Sequence, residues 1–88
     1  MTKEILYSSK AKKDIRRIRH DVKKMRELSD VLWRLANGET LEERFRVHAQ
    51  KGEYKGCLEC HIESDFLLVW VDDDSIQVVR VGSHSEVF

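Results

Sequence analysis

Cys57-Leu58-Glu59-Cys60-His61-Ile62-Glu63, Ser64-Asp65, Phe66-Leu67-Leu68-Val69-Trp70-Val71, Asp72-Asp73-Asp74-Ser75, Ile76-Gln77-Val78-Val79-Arg80-Val81: three apolar runs are parted by two short polar clusters. The runs are rich in β-branched and aromatic residues, and the clusters are turn formers, so the stretch predicts an antiparallel meander of three strands. The middle run is apolar at every position. Such a strand must be covered on both faces, which makes it the central one. The first run alternates, with Cys57, Glu59, His61 and Glu63 on one face and Leu58, Cys60 and Ile62 on the other.

Upstream, the pattern changes period. Apolar residues recur every three or four positions at Ile15, Ile18, Val22, Met25, Leu28, Leu32 and Leu35, a helical stripe without Gly or Pro. Ser8 or Ser9 offers an N-cap, and Asp14 lies in an early turn where it favours the helix dipole. One helix through the whole stripe, about 28 residues, would be about 42 Å long. A globule of this size has a radius of gyration of about 12 Å, so a break is expected. His20-Asp21 is the place for it, because Asp21 can cap a second helix. The helical hairpin then ends at Asn37-Gly38. A continuous coiled coil is the alternative. Glu4-Ile5-Leu6-Tyr7 is a short strand, and Thr40-Leu41-Glu42-Glu43 reads as a capping box opening a turn through Phe45. Residues 48–56 read as a surface loop, and Gly82 to Phe88 as a tail leaving the sheet. The fold class is α+β in one domain, 1–88: a short N-terminal strand, a helical hairpin, then an antiparallel β-meander.

The chain has 88 residues, with sixteen Lys+Arg against sixteen Asp+Glu. That zero hides a division. Residues 1–34 hold eleven basic and five acidic residues, a net of +6, and residues 35–88 hold five and eleven, a net of −6. Such a split fits either a face that meets a polyanion or an ordinary solvated helix surface. The longest apolar run, Phe66 to Val71, is far short of the ~20 residues of a membrane span. The N-terminus has no signal-peptide apolar core, so a soluble, cytoplasmic protein with reduced cysteines is expected.

Cys57-Leu58-Glu59-Cys60-His61 satisfies the C-x-x-C-H pattern for haem attachment. In a strand, however, Cys57 and Cys60 point to opposite faces and cannot grip one porphyrin edge. Haem, zinc and redox C-x-x-C chemistry are therefore set aside, and Cys60 reads as a buried small residue. The alternation instead places Glu59 and His61 side by side on a polar face, with Asp65 at the next turn. His48, His61 and His84 each fall near a loop or strand end. Arg80 is the only basic residue after Lys55, histidines aside. It either pairs with a carboxylate or presents its guanidinium to phosphate. Imidazoles, carboxylates, an Arg and the aromatics Tyr54 and Phe88 together are what RNA cleavage by a neighbouring 2′-OH requires. One group takes the 2′-OH proton, a cation steadies the phosphorane, an acid protonates the leaving 5′-oxygen, and aromatics stack on splayed bases. Scattered surface histidines are the bland reading. A mononuclear metal site of His48, His61, His84 and Asp65 explains the same residues.

Three segments carry a family resemblance: His48-Ala49-Gln50-Lys51-Gly52-Glu53-Tyr54-Lys55-Gly56, then Glu59-Cys60-His61-Ile62-Glu63-Ser64-Asp65-Phe66-Leu67-Leu68-Val69-Trp70, then Arg80-Val81-Gly82-Ser83-His84-Ser85-Glu86-Val87-Phe88. They resemble the YafQ-like branch of the RelE/ParE bacterial toxins, densely over 48–88 and by length and pattern before that. The family often has Pro before the first histidine and before the aspartate, where this chain has Glu42-Glu43 and Ser64. The resemblance implies a RelE-like α+β fold with the site on the concave sheet face. It also implies a ribosome-dependent mRNA endoribonuclease that uses neither metal nor other cofactor. The partners it implies are a cognate RelB/DinJ-like antitoxin, in a heterotetrameric complex, and the ribosome with message in its decoding site. Residue by residue, His48, His61, Asp65 and His84 match the family's catalytic positions, and Glu59 its acidic one. Arg80 and Phe88 match the phosphate-binding and C-terminal aromatic positions, with Tyr54 and Lys51 as further substrate contacts. In that scheme His84 protonates the leaving oxygen, Asp65 or His61 helps activate the 2′-OH, and His48 and Arg80 steady the phosphate. The alternative is a ParE-like toxin or interaction module that acts by protein binding without catalysis.

Overall fold

A computed structural model describes residues 2–88. The chain runs β1 (Ile5–Tyr7), α1 (Ser9–Ile18), α2 (Val22–Ala36), β2 (His48–Ala49), β3 (Leu58–Glu63), β4 (Phe66–Asp72), β5 (Ile76–Gly82) and α3 (His84–Val87). Short 3-10 turns lie at Glu43–Phe45 and Gly52–Tyr54. The strands form one sheet in the order β1-β5-β4-β3-β2, antiparallel except for the β1–β5 pair. As the apolar run predicts, β4 is central, and Phe66 through Trp70 are buried.

The helical hairpin breaks where Asp21 caps. Ser8 Oγ accepts from the Ala11 N–H at the start of α1, and Asp21 accepts from the Lys24 N–H at 3.1 Å at the start of α2. The second helix stops at Asn37, followed by Gly38 at φ +76°, a conformation that favours glycine. Folding back in this way lets both helices cover one sheet face. Leu28, Val31, Leu32 and Leu35 of α2 and Ala11 of α1 pack on Cys60, Ile62, Phe66, Leu68, Trp70, Ile76, Val78 and Val81. The opposite face carries a smaller cluster of Tyr54, Val69 and Val87, flanked by Cys57 and Val79. The radius of gyration is 11.9 Å. Among the described residues, no helix is long and apolar enough to cross a membrane.

Five local expectations are corrected. Asp14 sits in the middle of α1, buried, and reaches across to β5 instead of serving the helix dipole. Thr40 forms no capping box. The turn there is 3-10, and Glu42 is drawn to Arg34 at 2.9 Å. The capping box is at the C-terminus, where Ser83 and Glu86 bond reciprocally and turn the expected tail into α3. Finally, the loop 48–56 contributes β2, whose pairing with β3 sets His48 opposite Glu59. A bulge between His61 and Glu63 also removes Glu63 from the face it would share with Glu59, toward Lys23 at 3.1 Å.

Candidate active site

The period of two along β3 puts Glu59 and His61 on the sheet face away from the helical hairpin, since the intervening Cys60 lies in the helix-covered core. Strand β2 then brings His48 alongside. Glu59 is only 3% exposed, and its Oε1 lies 3.1 Å from His48 Nε2 and 3.7 Å from His61 Nε2. His48 Nδ1 donates to the Arg46 carbonyl at 2.7 Å, which orients the ring. Gln50 closes on its other side at 3.2 Å. Arg46 holds that carbonyl in place from φ +49°, a left-handed conformation rare outside glycine.

A second pair lies at the sheet end. Asp65, in the β3–β4 turn, accepts from both the backbone N–H of His84 at 2.8 Å and its Nδ1 at 2.7 Å. These two bonds, the backbone one first, hold the Asp65 carboxyl below its ordinary range. The three rings form a row: His61 lies 6.2 Å from His48 and 5.6 Å from His84, between centroids. Each end of the row is thus backed by a carboxylate, one buried and one exposed.

His84 begins α3, and Phe88 follows it. Phe88 is exposed and meets Tyr54 edge-on at 5.5 Å. The structure therefore brings together His48, Glu59, His61, Asp65, His84 and Phe88. Lys51 is exposed in the neighbouring loop. Two expected substrate contacts are turned inward. Tyr54 is 7% exposed, and its hydroxyl donates to the Val87 carbonyl at 2.9 Å. Arg80 meets Asp14 with Nε at 2.8 Å and Nη2 at 3.1 Å, so the forked edge that would grip phosphate is taken by a carboxylate. Asp14 is the residue that sequence reasoning missed in this role, and Gln50 is another.

Cys57 and Cys60 lie in the two different apolar clusters, on opposite sheet faces. Burial pushes the Cys60 thiol up to about 12, the behaviour of an inert core thiol. Among the described residues, no three His, Cys, Asp or Glu side chains are arranged as a metal site. The imidazole nitrogens are directed to Glu59, the Arg46 carbonyl and Asp65, and do not converge on one point.

Comparison with known proteins agrees with the fold. A family model described as "Bacterial toxin of type II toxin-antitoxin system, YafQ" matches residues 3–88. The mRNA interferase toxin YafQ of Escherichia coli (strain K12) is 27% identical over 88 residues, spanning 98% of this chain and 96% of the relative. A metal-bound toxin from Helicobacter pylori superposes with a TM-score of 0.87 at 33% identity, over the full length of both chains. A chain in the Escherichia coli DinJ-YafQ toxin-antitoxin complex superposes with a TM-score of 0.86 at 27% identity, covering 100% of this chain and 99% of that one. The family match spans nearly the whole sequence and the sheet, hairpin and imidazole row lie within it: this chain belongs to the YafQ family, bacterial toxins of type II toxin-antitoxin systems.

Proposed function

We propose that the chain is a ribosome-dependent mRNA endoribonuclease of the cytoplasm, held inactive by a cognate antitoxin in a heterotetrameric complex. The observation that carries this reading is the row of three imidazoles backed at each end by a carboxylate. The mRNA interferase name of the Escherichia coli relative supports the substrate class, and the DinJ-YafQ complex supports the partner class.

The chemistry follows from the two carboxylates. Cleavage starts when a base takes the 2′-OH proton and the freed oxygen attacks phosphorus. The O2′–P bond forms as the P–O5′ bond breaks, and an acid delivers a proton to O5′. The products are a 2′,3′-cyclic phosphate and a 5′-hydroxyl. His61, in the middle of the row, is the base in this reading. Glu59 beneath it stabilises the imidazolium that forms, because a buried anion is far better off beside a cation. His48, sharing the same Glu59 oxygen, steadies the phosphate charge. His84 is the acid. Its Nδ1 is spent on Asp65, which leaves Nε2 to meet the leaving oxygen. Phe88, exposed beside it, stacks on a base, and Lys51 flanks the path of the strand.

The test is to add the purified chain to a cell-free translation reaction and map message ends by primer extension. Cutting is expected only while ribosomes translate, and His84→Ala should slow it by roughly 10²–10⁴-fold, the usual worth of a positioned acid. Intact message under active translation, or cutting unchanged by His84→Ala, would overturn the reading.

A further inference from the structure

Asp14 is the most buried carboxylate of the chain together with Glu59, at 3% exposure each, yet it lies on a helix outside the imidazole row. Its contacts run toward that row. Oδ2 accepts from Arg80 Nε at 2.8 Å and from the Val81 backbone N–H at 3.0 Å, and Oδ1 accepts from Arg80 Nη2 at 3.1 Å. The guanidinium then continues outward. Its Nη2 donates to the Glu86 carbonyl at 2.9 Å, and its Nη1 to the Tyr54 hydroxyl at 3.2 Å. That hydroxyl in turn donates to the Val87 carbonyl at 2.9 Å. Both acceptor carbonyls belong to α3, the single turn that begins with His84 and ends against Phe88.

A single helical turn has almost no stability of its own. What fixes α3 is therefore its cap and its surroundings: the Ser83–Glu86 capping box, the Asp65 carboxylate on the His84 N–H, burial of Val87, and the two carbonyl bonds that lead back through Arg80 and Tyr54 to Asp14. We propose that Asp14 is a positioning residue for the reaction, acting through Arg80 and Tyr54 to hold α3 where His84 meets Asp65 and Phe88 faces the substrate. The inference rests on the reading of His84 as the acid. It replaces a phosphate-gripping role for Arg80 with a mechanical one. Small displacements matter here, because moving a catalytic group by about 1 Å can cost about a hundredfold in rate.

Removing Asp14 alone would leave a half-buried guanidinium without its carboxylate, so the informative variant neutralises both partners, Asp14→Asn with Arg80→Met. The amide introduced at position 14 can still accept from the Val81 N–H. Two readouts are needed on the full chain, with thermal melting and amide spectra confirming that it folds. The first is the Asp65 carboxyl titration by carbon-detected NMR, which needs no ribosome and no activity. In the parent, His84 holds Asp65 low; in the double variant it should rise toward the ordinary carboxylate value. A purely structural role would lower melting temperature and leave this titration where it was. The second is message cutting by translating ribosomes, where kcat should fall about tenfold with KM within about twofold of the parent. An unmoved Asp65 titration, or kcat within about twofold of the parent, in the folded variant overturns the proposal. If the double variant does not fold, Tyr54→Phe carries the test with the same two expectations, and no change in either overturns it. Failure of the parent to cut message would remove the nuclease reading, while the Asp65 titration still decides whether Asp14 places α3.

Discussion

Asp65 takes two hydrogen bonds from one residue on the single oxygen Oδ1, from the backbone N–H and from Nδ1 of His84. Both favour the ionised carboxylate and hold it below its ordinary value of 3.8. The sign of the pH dependence follows. A depressed carboxylate adds stability that is complete above the unfolded value and is lost as pH falls through the folded one. Comparing melting temperatures of the parent and Asp65→Asn from about pH 7 to about pH 3 should show a gap that narrows below about pH 4. Because Asp65 is well exposed, the gap should be small even at neutral pH. Parallel curves would mean that the contact does not form in solution. The candidacy of this residue is legible without its geometry. Asp65, His61 and His84 are by type suited to the proposed proton transfer, and the strand alternation places Glu59 beside His61. Arg80 is legible only as an ambiguity, since its partner Asp14 stands 66 positions away and no local pattern points to it. The burial of Tyr54 is hidden for the same reason: it depends on α3, a turn that its own four residues could not hold in isolation.

The elements that read correctly are those with a strong period or a physical limit on length. The central strand follows from an unbroken apolar run, and the break at Asp21 from the impossibility of a rod in so small a globule. The elements that went unread are the two-residue β2 and α3. Ser83-His84-Ser85-Glu86 carries the same S-x-x-E signature as a capping box, but no apolar run follows it, so the signal had no helix to start. Its support comes instead from β5 through Gly82. At φ +153°, Gly82 occupies a conformation that side chains avoid, and a Cβ there would come within 2.9 Å of Glu86 Oε1. Gly82→Ala should therefore strain the backbone and push Glu86 out of the capping box, costing roughly 1–3 kcal/mol. Gly38→Ala is the matched control. Gly38 also has a positive φ, +76°, but a Cβ there meets nothing within 4 Å, so the cost should be about 1 kcal/mol of backbone strain. Chemical denaturation of both variants, read beside message cutting, separates the effects. Gly82→Ala should lose cutting at temperatures where it is still folded, and Gly38→Ala should not. Equal loss in both would show that α3 is placed by something other than its cap.

Across the whole molecule, the charge division becomes a division in space. The two helices that carry the basic excess cover one face of the sheet, and Glu59 and His61 occupy the other. Lys10, Lys13 and Arg19 are exposed on or beside α1, and none of them enters an ion pair among the described residues. A free cationic surface of this kind is drawn to polyanions at long range, and the attraction weakens as salt rises. The site face offers exposed Lys51 in its neighbouring loop, but its half-buried cation, Arg80, is committed to Asp14. The molecule should thus bind free RNA weakly and depend on a second polyanionic contact, made by its helices, to reach a message. The variant Lys10→Glu/Lys13→Glu/Arg19→Glu isolates that contact, since it touches neither the imidazole row nor the Asp14–Arg80 link. Surface changes of this sort should leave the melting temperature nearly unchanged. Co-sedimentation with ribosomes at ~0.1 M salt should fall by roughly tenfold or more, with a shallower salt dependence than the parent shows. Cutting of translated message should fall in step. If ribosome binding and its salt slope both survive the reversal, the basic excess is only a solvated helix face, and the contact that delivers the message to His84 must come from the sheet side.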